Sequence, residues 1–136
     1  MTGRWEAGAP LPAVEKEVTP AQVAAYARAS GDHNPLHLDE AFARTTPFGR
    51  TIAHGMLGLA FLNEALARAF GVAWAASGRL RVRFRAPVYP GERVRTEGAV
   101  TRAEARDGAT EVECRVALRN ARGEEVISGT AWVRLP

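Results

Sequence analysis

One segment constrains this chain more than any other. From about His54 to Phe70 the residues follow a helical period, and between Met56 and Leu62 the helix is apolar on nearly every side. Such a helix needs cover all round, not along a single stripe. At about 1.5 Å per residue it is roughly 25 Å long, enough to cross a small domain. Gly71 closes it. This is the expected core helix, and the rest of the chain has to wrap it.

The second half supplies the wrapping. Leu80, Val82 and Phe84 alternate with Arg79, Arg81, Arg83 and Arg85, the period of a strand with its apolar face inward and the arginines solvated. A longer strand is expected from about Arg93 to Ala103, with Val94, Thr96, Gly98 and Val100 on one face. Asp107-Gly108 marks a hairpin, Glu111 to Arg119 alternates again, and a turn at Ala121–Glu124 leads to a last strand through Trp132 and Val133. Before the core helix come an extended lead-in with Pro10 and Pro12 and a short strand from Val14 to Val18. A helix capped by Thr19-Pro20 follows and stops near Gly31; after the loop Gly31–Leu38 comes a short helix capped by Asp39. Strand, helices, then four strands joined by tight turns describe an α+β domain with a mainly antiparallel sheet. A sheet curled round the helix covers part of it, and a second subunit would cover the rest. One domain over 1–136 is expected.

Composition removes several function classes. A hydrophobic share of 46% and a charged share of 24% are those of an ordinary soluble protein. No apolar run is long enough to span a bilayer, and the first residues lack the order of a signal peptide, so the cytoplasm is the default expectation. The single Cys114 excludes an intramolecular disulfide and a thiolate-rich metal site, and its alternation with Val112 and Val116 places it inside a strand face. The net charge of +3 comes almost wholly from arginine, since Lys16 is the only lysine. With no block of like charges and no recognised motif, nucleic acid is not an expected partner.

Chemistry concentrates between Tyr26 and Leu66, where all three histidines fall. Asp32 and His37 flank Asn34-Pro35, and the proline should bend the segment and bring a carboxylate and an imidazole over one point. Such a pair can hold a water, one group taking its proton while the other orients it. Asn34 can satisfy backbone groups at the bend, and it is expected, with His54, Gly55 and Asn63, on the oxyanion and substrate-binding side of the site. His54-Gly55-Met56 opens the apolar helix, whose free N–H groups and partial positive charge suit an oxyanion, such as a thioester carbonyl becoming an enolate. Gly55 would let a ligand atom approach the backbone. Plainer readings stand beside these: Asp32 as a turn cap, His37 as a packed ring bonded to backbone, and His54 as a structural residue at the helix start. His33 reads as an exposed bystander. A metal held by Asp32, His33, His37 and His54 is not expected, because Pro35 breaks the one spacing that would suit it.

At these residues the sequence closely resembles the MaoC-like dehydratases, the (R)-specific enoyl-CoA hydratase group of the hotdog fold. The matching residues are Tyr26, Ser30-Gly31-Asp32, Asn34-Pro35-Leu36-His37, Asp39, Ala43, Phe48-Gly49 and Ile52-Ala53-His54-Gly55-Met56. A second match covers Phe84, Pro87-Val88 and Gly91-Glu92, where the family often has Asp at the last position. The resemblance implies a sheet wrapped round the helix that begins near His54, usually paired into a homodimer. It implies Asp32 and His37 as the catalytic pair and the Gly55 N–H as the group that polarises a thioester carbonyl. The implied reaction is reversible hydration of a trans-2-enoyl thioester to the (R)-3-hydroxyacyl thioester, without metal or redox cofactor, the substrate carried by coenzyme A or acyl carrier protein. The fold also hosts thioesterases, and a non-catalytic thioester-binding subunit is the alternative of another class. Leu59, Asn63 and Leu66 recur on one side of the helix; the leucines suit core packing, whereas Asn63, taken as a buried amide, is placed near the acyl channel.

Overall fold

The computed structural model describes residues 3–136. β1 (Glu15–Glu17) precedes α1 (Pro20–Ser30), two single-turn helices α2 (Pro35–Leu38) and α3 (Glu40–Ala43), and the long α4 (Gly55–Phe70). Then come α5 (Val72–Ser77) and four strands, β2 (Arg79–Phe84), β3 (Arg93–Arg106), β4 (Ala109–Asn120) and β5 (Glu125–Leu135). All five strands form one antiparallel sheet in the order β1-β3-β4-β5-β2. The expected α+β hotdog architecture is present, with α4 packed against β3, β4 and β5.

Local chemistry explains the elements. Thr19 accepts the Gln22 N–H at 3.0 Å and Pro20 opens α1, while Gly31 ends it in the left-handed conformation that a side chain would resist. Asp107 and Gly108, both at positive φ, form the β3–β4 hairpin. The core joins Leu57, Phe61, Leu62 and Leu66 of α4 to Val100, Val112, Leu118 and Ile127 of the sheet. Cys114 lies in this layer, and burial, with a smaller effect from Glu113, pushes its thiol up to about 11.

The sheet covers part of the core helix, as expected, and leaves a flank of it open: Met56 is 55% exposed, and Ala60 and Asn63 are also exposed. The sheet reaches only one side of α4, because it ends at the edge strand β2. For the same reason Phe84 is 54% exposed, although its period places it with the half-buried Leu80 and Val82. The loop Gly31–Leu38 contains a helical turn, with Pro35 opening α2 instead of barring a helix.

Candidate active site

The bend between α1 and α2 is built by its own side chains. Ser30 Oγ accepts the Asp32 N–H at 3.2 Å, Asp32 Oδ1 accepts the Asn34 N–H at 3.2 Å, and Asn34 Oδ1 accepts the Leu36 N–H at 2.9 Å. These are local turns of the kind that Ser, Asp and Asn favour, and the last one caps α2. They leave Asp32 Oδ2 free and half exposed, 4.0 Å from His37 Nε2.

His37 is oriented from its other nitrogen. Nδ1 lies 2.8 Å from the Ile52 carbonyl, which can only accept, so Nδ1 carries a proton and donates. In the neutral ring Nε2 is then an acceptor aimed at the Asp32 carboxylate. Two acceptors 4.0 Å apart suit a group with two O–H donors, and water is the smallest.

The segment carrying Ile52 is stitched down on both sides. The Ile52 N–H donates to the Leu36 carbonyl at 3.3 Å, the Ala53 N–H to the Val88 carbonyl at 2.8 Å, and Arg50 Nη2 to the Pro90 carbonyl at 2.7 Å. Glu40 accepts from both the hydroxyl and the N–H of Thr51, and these bonds hold its carboxyl below the ordinary range. Glu92, where the resembled family often has Asp, accepts the Tyr89 N–H at 2.7 Å and pairs with Arg122.

His54 stands one residue before α4 and is only 3% exposed. It does not cap the helix with its side chain. Its Nε2 donates to the Asp32 backbone carbonyl at 3.0 Å, and its ring stacks on His37 with centroids 3.8 Å apart. Tyr26 packs on it at 4.8 Å. The Gly55 and Met56 N–H groups therefore have no acceptor among the described residues and mark the positive end of α4. Gly55 is exposed, and Phe84 Cε1 lies 3.0 Å from where a Cβ on it would sit. Beneath it lies a small apolar cavity of about 30 Å³, lined in part by Ala53, Leu57, Phe61, Val88 and Ile127.

The MaoC like domain family matches residues 5–121. The chain belongs to the MaoC-like family.

This MaoC-like protein is 37% identical to the (R)-specific enoyl-CoA hydratase of Aeromonas caviae, over 90% of each chain. It is 34% identical to the 3-hydroxybutyryl-CoA dehydratase of Methylorubrum extorquens, over 90% of this chain and 76% of that one. Among solved structures, the (R)-hydratase from A. caviae superposes with a TM-score of 0.81 at 33% identity, covering 96% of this chain and 97% of that one.

The structure brings Asp32, His37, His54 and Gly55 of the MaoC-like protein together, with Asn34 in the bend between the first two, and places Asn63 elsewhere on α4. Asn34 turns its carbonyl oxygen to the Leu36 N–H, the role foreseen for it at the bend. Asn63 is exposed, not a buried amide; its Oδ1 accepts the Trp74 Nε1–H at 2.8 Å, and it lines a separate open cleft with Met56, Leu59 and Leu80. His33 is exposed. The side chains of Asp32, His37 and His54 offer ligand atoms within 4.8 Å of one another. The Asp32 carbonyl engages His54 Nε2, and Nδ1 of that ring is buried. Two free donors are left, where catalytic zinc takes three from the protein. Sequence reasoning missed the Ile52 carbonyl and the Phe84 ring over Gly55. Backbone acceptors leave no trace in residue type, but the period of β2 had already marked Phe84.

Proposed function

We propose that this chain is a hydro-lyase that adds water reversibly to a trans-2-enoyl-CoA, giving the (R)-3-hydroxyacyl-CoA. The observation that carries the reading is the 4.0 Å gap between Asp32 Oδ2 and His37 Nε2, next to a helix start with unsatisfied N–H groups. A water held between two acceptors has its oxygen lone pairs directed away from them. As that oxygen adds to C3 of the enoyl thioester, Asp32 takes a proton, and the π electrons move to the thioester oxygen. The Gly55 N–H and the dipole of α4 stabilise that oxyanion. The proton held by the Asp32–His37 pair then returns to C2, so water is added as OH and H. The relatives named as an enoyl-CoA hydratase and a 3-hydroxybutyryl-CoA dehydratase support both the reaction and its thioester handle.

The described residues act as one domain in this reading, the working unit is a homodimer or larger homo-oligomer, and the compartment is the cytoplasm. No helix of the described residues is long and apolar enough to cross a membrane. The small cavity beside Gly55 has room for about one methyl group, which makes the four-carbon crotonyl-CoA the first substrate to test. Asp32→Asn should lower its hydration at least about 10³-fold without unfolding the protein, followed as loss of enoyl-thioester absorbance. Wild-type inactivity across short, medium and branched enoyl-CoAs would overturn the reading. Release of free thiol would point to a thioesterase instead.

A further inference from the structure

We propose that His54 is a positioning residue that ties the acid–base loop to the start of α4 and sets the gap between Asp32 and His37. The inference rests on the hydration reading above for its kinetic consequence, but its geometry stands alone. At a helix start an Asp or Ser would turn back and cap the first amides. His54 instead reaches across to the Asp32 backbone carbonyl, 22 positions away in sequence, with Nε2 at 3.0 Å. Its ring also forms the wall against which His37 lies, at 3.8 Å and 27°. One side chain thus holds both members of the pair: the carboxylate through its own backbone, the imidazole through its face. The same choice leaves the Gly55 and Met56 amides open.

Two other roles fit less well. Contact with substrate needs an exposed atom, yet the residue is 3% exposed and Nδ1 is buried without a partner among the described residues. Simple filling of the core would be met by a leucine or phenylalanine, and would not explain a donor aimed at Asp32. Glutamine carries an N–H near the position of Nε2, and asparagine only near that of Nδ1. His54→Gln therefore keeps the bond to Asp32, whereas His54→Asn loses it at a similar polar cost.

The test compares His54→Gln, His54→Asn and wild type in steady-state hydration of crotonyl-CoA. Both variants lose the ring face on which His37 rests, so both should be slower than wild type. The Gln variant, which keeps the bond to Asp32, should nevertheless retain at least about 10-fold more kcat than the Asn variant, since small displacements of reacting groups carry penalties of this size. KM should stay within about twofold in both, because His54 does not meet the substrate. Equal losses in the two variants, or a raised KM at unchanged kcat, would overturn the proposal. Nitrogen-15 NMR of the wild-type imidazoles provides a second measurement that needs no variant to fold. His54 should carry its proton on Nε2 with Nδ1 bare, and a proton on Nδ1 instead would overturn the assignment. If wild type turns over no enoyl thioester, the hydration reading fails by itself. The His54 assignment is then decided by the tautomer, and by faster hydrogen exchange at the Asn34 and Leu36 amides in the Asn than in the Gln variant.

Discussion

Gly55 answers two demands with one missing atom. It leaves the first N–H of α4 approachable, and it lets the Phe84 ring close over the helix start, 3.0 Å from the place of an absent Cβ. Gly55→Ala would push against that ring. Because Phe84 is exposed and can yield, the stability cost should be small, about 1 kcal/mol. The hydration rate should suffer more, about 10-fold or greater in kcat, as ring or methyl crowds the amide. Pairing Gly55→Ala with Phe84→Leu should restore part of that rate, and a double-mutant cycle in kcat would measure the coupling. Strict additivity of the two changes would mean that the ring and the amide do not share one space.

At the scale of elements, the site depends on where α1 stops, because Gly31 hands the chain directly to Asp32. Thr19→Ala removes the cap at the far end of that helix and should cost about 1 kcal/mol. Urea unfolding would register it as a lower midpoint at unchanged slope, with hydration little altered. The boundaries of α1 and α4 were readable because Thr19-Pro20, Gly31 and Gly71 are punctuation with a local mechanism. The bend at Asp32 was readable too, through Asn34-Pro35, as was the hairpin at Asp107-Gly108. The α5 helix was not, since VAWAAS is too short to show a period. The exposure of Phe84 was hidden for another reason: alternation reports which residues share a face, not whether the strand ends a sheet. The partnership of His54 with a distant backbone carbonyl is likewise tertiary, and nothing in the run Ile52–Met56 announces it.

At the scale of the whole molecule, the open flank of α4 and the edge strand β2 lie on the same side of the sheet order, and both are unfinished. Met56 and Phe84 put apolar surface into water there, next to backbone groups of β2 with no neighbouring strand among the described residues. Self-association through this side should give a dimer in sedimentation at micromolar concentration. Met56→Glu should shift it toward monomer, and a wild-type monomer at all accessible concentrations would exclude this side as a contact. Arg81 and Arg83 face outward on the same strand and are solvated, so their charge does not oppose burial of the other face. The buried Cys114 has a practical consequence for such measurements. With its thiol pushed up to about 11, this sulfur stays protonated and shielded at neutral pH, where thiol reagents need an accessible thiolate. A substitution such as Ala121→Cys in the exposed β4–β5 turn would accordingly accept one maleimide fluorophore per chain while wild type accepts almost none. The protein comes already prepared for single-site spectroscopic labelling, with no cysteine to remove first.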